Sequence, residues 1–186
     1  MIQYIENTYS KKVTMPAIIR VPLFIVSCSI LFCSCLTQAE ILDNNPIITI
    51  EKRQNINVVY DVKDDNWEAG IGQALYYVRG LLESYKSMGI SPTQLHISVV
   101  VHGPVAYWLL NDSAYQQRSD DPFDYNPNET VVQQLIAHGV SVEICNVSMK
   151  AKHWTASNLL PGVVIVHDAY TRLIDLQYRG YAYIRF

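Results

Sequence analysis

The chain has 186 residues, of which 49% are hydrophobic and 17% are charged, enough for one globular domain with a sizeable core. This balance excludes an intrinsically disordered chain. The formal net charge is −3, with no excess of lysine and arginine. Because non-specific nucleic-acid binding depends mainly on such basic residues, the composition argues against a nucleic-acid partner.

Residues 1–39 are predicted to form a secretory signal peptide. An uncharged apolar run, VPLFIVSCSILFCSCL, covers residues 21–36 and is followed by small residues that suit cleavage after Ala39. The basic residues that precede the run are Lys11, Lys12 and Arg20. Met15 begins a more typical signal peptide than Met1 does, so we expect translation to start at Met15. The mature protein would then be periplasmic or secreted.

Two alternatives for this segment stay open. The first is a retained membrane anchor, which is disfavoured because the apolar run is shorter than the ~20 residues of a membrane span. The second is lipidation at Cys35, since LFCSC loosely resembles a bacterial lipobox. With cleavage after Ala39, no stable membrane span is expected in the mature chain.

Export changes what the cysteines can do. Cys28, Cys33 and Cys35 lie inside the predicted signal peptide, so the mature chain would keep Cys145 alone and could form no internal disulfide. A lone thiol in an oxidising compartment is either buried and inert or exposed and reactive. The mature chain would also be more acidic, with 11 basic and 16 acidic residues.

Strands and helices are predicted to alternate after an extended lead-in over residues 40–55. β-Branched and apolar runs predict strands at 56–62, 95–101, 140–145, 163–166 and 181–185. Apolar residues at helical spacing predict helices at 71–88, 105–110, 129–138 and 169–178, the last with Asp168 as its N-cap. Residues 111–128 are rich in turn formers and predict a long loop that acts as a lid or binding element.

This alternation is typical of an α/β protein. For residues 56–186 we expect a three-layer α/β/α sandwich around a mostly parallel sheet of about five strands. In such sheets, ligands bind beyond the carboxyl ends of the strands. His102, Cys145 and His167 each follow the end of a predicted strand, so a parallel sheet would place all three along one edge.

Cys145 is the candidate nucleophile at this edge. A helical turn after it would supply free backbone N–H groups, and the nearby basic side chains would further favour a thiolate. Those side chains are Lys150, Lys152 and His153. The alternative is a buried packing residue, a common environment for cysteine. His102, Gly103, His167, Asn146, Lys150 and His153 form the predicted set of binding or thiol-tuning residues.

A metal site is the weaker alternative for the same residues. His102, Cys145 and His167 could supply three ligands, because imidazole and thiolate suit zinc or copper. The sequence has no CxxC, HxxxH or CxxCH spacing, and it has no GxGxxG, Walker or GxSxG motif. We therefore expect no cofactor.

Four segments resemble the DsrE/DsrF-like proteins: INVVYDV, ISVVVHGPVAYWLL, LIAHGVSVEICNVSM and LLPGVVIVHDAYTRLIDLQYRGYAYIRF. The most specific pieces are GVxVxxCxxSM and LxxLQxxGYAYIR, and the similarity covers residues 56–186. The resemblance implies a compact α/β sandwich that assembles into homotrimers or homohexamers. Several members belong to sulfur relays in which a cysteine carries sulfane sulfur as a persulfide, and Cys145 lies at the matching position.

Two hypotheses of different classes follow. The first is an exported sulfur carrier or sulfurtransferase-like protein that uses Cys145 and exchanges sulfur with periplasmic donor and acceptor proteins. Export departs from the cytoplasmic setting of the well-described relays. The second is a non-catalytic oligomeric protein that binds a small ligand or metal at the edge of the sheet, with Cys145 as a packing residue or ligand.

Overall fold

The computed structural model describes residues 46–119, 121 and 123–186. The predicted signal peptide, its possible start at Met15, the anchor and lipidation alternatives, and Cys28, Cys33 and Cys35 all lie outside these residues. Within the described ranges, no helix combines the length and the apolar character that crossing a membrane requires. Residues 46–55, which are the described part of the predicted lead-in, contain no strand or helix.

The described chain is built around one parallel sheet. The strands are Ile56–Val62 (β1), Trp67–Glu68 (β2), Ile71–Gly72 (β3), Leu95–Val101 (β4), Ser141–Cys145 (β5), Val164–Val166 (β6) and Ala182–Arg185 (β7). Within the described residues, five strands pair in the order β6-β5-β4-β1-β7, while β2 and β3 form a separate antiparallel pair. All pairings in the main sheet are parallel, so the carboxyl ends of these strands share one edge.

Helices cover both faces of the sheet. They are Gln73–Ser87 (α1), Asp112–Gln116 (α2), Glu129–Ala137 (α3), Asn146–Ala151 (α4) and Ala169–Tyr178 (α5), and the segment Gly103–Leu109 is a 3-10 helix. The predicted α/β sandwich with a mostly parallel sheet is confirmed. The prediction of a loop throughout 111–128 is wrong at α2, because the Asn111 side chain accepts a hydrogen bond from the Ala114 N–H and caps this short helix.

Alternation along each strand divides the core between the two faces. On one face, residues such as Tyr60, Val99 and Ile144 pack with α1, α3 and the 3-10 helix in the larger apolar cluster. On the other face, a small cluster packs under α5; its buried members are Val59, Val100, Cys145, Ala169, Leu173 and Leu176. Cys145 therefore lies on the face that α5 covers.

α5 is held to this face by a buried ion pair. The Glu143 side chain is fully buried on β5, and the Arg172 guanidinium on α5 donates to both of its carboxylate oxygens, at 2.8 and 2.9 Å. The Ser141 hydroxyl donates a further hydrogen bond to Glu143 at 2.9 Å. A buried carboxylate is tolerated only when it is paired in this way, so Glu143 and Arg172 set the position of α5 on the sheet.

Gly72 allows the start of α1 to approach the core closely. A Cβ atom at this position would lie 2.5 Å from the ring of Trp108, which is fully buried. We expect Gly72→Ala to lower the free energy of unfolding by about 1–3 kcal/mol, the usual effect of overpacking. Gly80 is the matched control, since a Cβ atom there would meet nothing within 4 Å and alanine favours a helix. In urea titrations, Gly72→Ala should lower the midpoint and Gly80→Ala should raise it; equal midpoints would contradict this packing.

Candidate functional site

The candidate site lies where β4 and β5 end. In the pairing of these strands Val101 lies opposite Ile144, so the next residues, His102 and Cys145, occupy neighbouring positions. Two consecutive residues of α5 cover them: Ala169 packs in the apolar cluster with Cys145, and the Tyr170 ring meets the His102 ring edge-on at 5.6 Å. The sheet therefore places the cysteine and the histidine at neighbouring strand ends, beneath the first turn of α5.

The Cys145 thiol is buried in this arrangement. The residue is 4% exposed, and it is the N-cap residue from which α4 begins. The helical turn expected after the cysteine is therefore present. Because the residue is buried beneath α5, a reagent can reach the sulfur only after a local movement such as opening of the first turn of this helix.

His102 is oriented by a carboxylate that sequence reasoning did not identify. The Nε2 atom of the buried His102 ring lies 2.7 Å from Oδ1 of Asp61, which is 5% exposed and lies on the adjacent strand β1. The other oxygen of Asp61 accepts a 2.5 Å hydrogen bond from the Tyr183 hydroxyl on β7. Residues on β1 and β7 and the residue that follows β4 thus form one hydrogen-bonded group, in which Asp61 and His102 are buried and Tyr183 is partly exposed.

The Asp61 carboxyl is ionised in this group. Burial alone would raise the pKa of Asp61, but the hydrogen bonds from His102 and Tyr183, together with the charge interactions with His102 and Arg185, outweigh it, and the pKa falls below its usual value. Burial and the hydrogen bond to Asp61 raise the pKa of Tyr183 to about 12, so its hydroxyl stays protonated. Because the ionised Asp61 can only accept, Nε2 of His102 carries the hydrogen of this bond, which leaves Nδ1 as the ring atom that would accept a proton when the ring is neutral.

A cleft of about 360 Å³ opens beside this group. It lies between α5 and the strands β1 and β7, and Asp61, Tyr170 and Tyr183 line it together with the basic residues Lys63 and Arg185. Leu173 belongs both to the cleft wall and to the apolar cluster around Cys145. One residue, Leu173, therefore separates the apolar surroundings of the thiol from a cleft lined by charged groups.

Gly103 and Asn146 lie next to the paired histidine and cysteine. Gly103 has a φ of +65°, a conformation that suits glycine, and its N–H donates to the Ser148 hydroxyl on α4 at 2.9 Å. This bond ties the turn after β4 to the helix after β5. Asn146 is the first residue of α4 and is half-buried.

The remaining predicted residues lie elsewhere. Lys150 is exposed in the last turn of α4, and His153 is exposed just beyond the end of that helix. The His167 side chain is 91% exposed and its Nδ1 lies 3.1 Å from the Asp168 carboxylate. Its predecessor Val166 pairs with Cys145, and alternation turns the next side chain away from the cysteine.

The metal alternative has no support in the described part of the chain. No group of three histidine, cysteine, aspartate or glutamate side chains converges there as a metal site requires. His102 is engaged by Asp61, and His167 points to solvent, so neither joins Cys145 in a ligand set.

The 111–128 segment packs away from the thiol. The Asn126 side chain donates to the carbonyl oxygens of Trp108 and Leu110, which fixes the segment against the 3-10 helix. Among its described residues, none belongs to the apolar cluster around Cys145. The expected role as a lid over the cysteine therefore has no support in this arrangement.

Asp168 caps the turn of α5 that covers the site. Its carboxylate accepts hydrogen bonds from the Thr171 N–H at 2.9 Å and the Thr171 hydroxyl at 2.5 Å, and these bonds lower the pKa of Asp168 to about 2. A lowered folded-state pKa contributes stability that is complete above the ordinary value of 3.8 and is lost as the pH falls toward 2. We expect Asp168→Asn, which retains a capping oxygen without the charge, to flatten the fall of Tm between pH 4 and pH 2. Parallel curves for the two proteins would contradict this role.

Comparison with known proteins gives a family and a fold. The model of the DsrE/DsrF-like family matches residues 72–186. The chain is similar to the solved structure of MTH1491, a protein of unknown function from Methanobacterium thermoautotrophicum, with 23% identity, a TM-score of 0.53, and coverage of 70% of this chain and 99% of that one. It is also similar to the ychN protein from E. coli, with 14% identity, a TM-score of 0.49, and coverage of 70% and 100%. A search of curated proteins gives no match.

Proposed function

Because the chain belongs to the DsrE/DsrF-like family, which is associated with sulfur relay, we propose that it carries sulfane sulfur on Cys145 as a persulfide. The observation that carries the proposal is the placement of Cys145 beside His102, whose ring is oriented by the ionised Asp61. A nucleophile, a base and a group that orients the base are the parts needed to activate a thiol.

The proposed chemistry needs no cofactor. The Cys145 thiolate attacks the outer sulfur of thiosulfate or of a donor persulfide. With thiosulfate, a new S–S bond forms on Cys145, the old S–S bond breaks, and its electron pair leaves with sulfite. An acceptor thiolate then attacks the outer sulfur of the Cys145 persulfide and regenerates the Cys145 thiolate. His102, through Nδ1, takes the thiol proton before the first attack.

Burial requires a conformational step in this scheme. Ala169 and Tyr170 in the first turn of α5 must move before a donor reaches the sulfur, and the hydrogen bonds of Asp168 hold that turn closed. We propose that the turn opens transiently in the isolated protein and that binding of a donor or acceptor protein favours the open form. Such gating would also protect the persulfide from water and stray thiols.

The test is intact-mass measurement after incubation with thiosulfate or polysulfide. Wild-type protein should gain the mass of one sulfur atom, and a reductant should remove it. Cys145→Ser should gain none. The proposal fails if wild-type protein gains no sulfur while alkylation shows that Cys145 is accessible.

The second candidate function is a non-catalytic oligomeric binding protein. The burial of Cys145 to 4% exposure, among apolar side chains, favours this alternative because it is the environment of a packing cysteine. A Cys145→Ser variant that retains full function in cells, together with a wild-type protein that gains no sulfur, would establish it.

Assembly into a homotrimer or homohexamer is part of the proposal. Apolar side chains stay exposed along one side of α5, where Tyr170, Ile174 and Tyr178 are spaced four residues apart and are 64, 53 and 90% exposed. Exposed apolar residues also lie on the edge strands β6 and β7; they are Val164, Ile165, Tyr183 and Ile184. A second copy of the chain would cover such a surface. Light scattering on the purified protein measures the copy number.

Export is proposed on the sequence pattern of residues 1–39. The donor and acceptor would then be periplasmic proteins, or small sulfur compounds in the same compartment. Fractionation of cells with N-terminal sequencing of the protein tests this: mature protein in the periplasm or medium should begin at Glu40.

A further inference from the structure

A second cleft lies at the far end of α4 from Cys145. Its volume is about 470 Å³, within the range of small-molecule sites. Three elements form its walls: the 3-10 helix Gly103–Leu109, the α2 region and the segment that follows α4. Its basic lining residues are Arg118, Lys152 and His153, and no carboxylate lines it among the described residues.

The Arg118 side chain is held in place at the cleft. Its guanidinium carbon lies 3.4 Å from the centroid of the Tyr107 ring, a close cation–π contact. The Tyr107 ring is fixed in turn, because its hydroxyl donates to both oxygens of Asp65, at 2.9 and 3.0 Å. Trp67 donates a further hydrogen bond to Asp65. Asp65 is thus already engaged by Tyr107 and Trp67, and among the described residues no carboxylate accepts a hydrogen bond from the Arg118 guanidinium.

The Asn158 amide adds an oriented donor. Its Oδ1 atom accepts hydrogen bonds from the Thr155 N–H at 2.8 Å and from the Thr155 hydroxyl at 3.1 Å. Because Oδ1 is engaged in this way, the NH₂ group is the part of the Asn158 side chain that can donate to a ligand in the cleft. Cations and an oriented amide donor together suit a ligand that only accepts hydrogen bonds.

His153 occupies a backbone conformation that favours glycine. Its φ is +57°, and the N–H groups of His153 and Trp154 bond back to Lys150 and Met149 to close the end of α4. The helices α1, α3 and α5 are each followed by a glycine with φ between 73° and 83°: Gly89, Gly139 and Gly180. A histidine here is less favourable for folding than a glycine, so its presence points to a role for the side chain.

From these observations we propose that this cleft binds a small divalent oxyanion through Arg118, Lys152 and His153. Sulfate and thiosulfate are examples of such a ligand, because each carries two negative charges and a compact group of oxygen acceptors. The site is separate from Cys145, which does not line the cleft. Anion binding in this cleft does not depend on the sulfur-carrier proposal, because the anion would be recognised by its charge and not by a transferable sulfur atom.

The test is calorimetric titration of the purified protein with sodium sulfate and sodium thiosulfate, each against sodium chloride at matched ionic strength. Saturable one-to-one binding is expected for sulfate with the wild-type protein, and for both anions with a Cys145→Ser variant, which has no thiol to react with thiosulfate. Heats no larger than those of chloride would overturn the proposal. Loss of binding in Cys145→Ser would also overturn it, since the anion would then sit at the thiol.

Variants assign the binding to the cleft. Arg118→Gln and Lys152→Gln should each raise Kd about tenfold, the effect of losing one charge-assisted contact. Lys52→Gln removes an exposed lysine outside the cleft and should leave Kd unchanged. His153→Gly separates binding from folding: Kd should rise while Tm rises or stays the same. An unchanged Kd in folded Arg118→Gln and His153→Gly proteins would contradict the assignment.

Discussion

Replacing Arg172 with alanine is expected to lower the free energy of unfolding by about 3 kcal/mol, the usual effect of breaking a buried ion pair from one side. The variant leaves the fully buried Glu143 carboxylate with the Ser141 hydroxyl as its described hydrogen-bond donor. An ionised carboxylate in that position is strongly disfavoured, so α5 should loosen on the sheet. Urea titration followed by circular dichroism measures the loss.

Arg179 provides the matched control on the same helix. It contacts Asp175 at 3.5 Å, as Arg172 does at 3.0 Å, but its side chain is 55% exposed and makes no contact with Glu143. Because exposed ion pairs contribute little, Arg179→Ala should change stability by less than about 0.5 kcal/mol. Adding Glu143→Gln to Arg172→Ala should recover part of the loss, since it removes the unpaired charge. Equal effects of the two arginine variants would contradict the importance of the buried pair.

Replacing Asp61 with asparagine is expected to slow sulfur acceptance by Cys145 about 10²-fold, the lower range for loss of general acid–base assistance. Asp61 acts here as a positioning residue: its ionised carboxylate requires that Nε2 of His102 carries the hydrogen. Asparagine has nearly the same shape but can present its NH₂ group to the ring, which removes that requirement. Single-turnover measurement with thiosulfate gives the rate.

Tyr183→Phe tests whether the effect comes from the carboxylate or from general loosening. It removes the other hydrogen bond to Asp61 but keeps the Asp61–His102 contact, so its rate should stay much closer to that of the wild type. Thermal unfolding of both variants shows whether the fold persists. A folded Asp61→Asn protein that accepts sulfur at the wild-type rate would remove Asp61 from the mechanism.

Local sequence patterns predict the elements of this fold closely. β1 and β4 have the bounds expected from their β-branched runs, because each strand is buried on both faces and most of its residues are apolar. The ends of α1, α3 and α5 are also close to expectation, since a glycine follows each one. The α2 helix escapes prediction because its cap, Asn111, also favours turns.

The partners at the site depend on strand order, which local patterns do not contain. Asp61 is 41 positions from His102 and 122 from Tyr183, and only the order β4-β1-β7 brings them together. One indication is present in the sequence: an acidic residue inside a strand buried on both faces needs a partner, as both Asp61 and Glu143 do. For His167, the strand pattern predicts a position near the edge of the sheet but not the direction of the side chain. Val166 pairs with Cys145, and the side chain of the next residue, His167, points to solvent.

The proposal that Cys145 accepts sulfane sulfur is tested most directly by following one labelled sulfur atom from the donor to this residue. Wild-type protein would be incubated with thiosulfate labelled at the outer sulfur, alkylated, digested and analysed by peptide mass spectrometry. We predict the labelled sulfur on the peptide that contains Cys145, at a level that falls sharply in Asp61→Asn. Sulfur transfer to Cys145 would be contradicted if folded protein, after incubation with the donor, carried the alkyl group directly on Cys145 without the labelled sulfur.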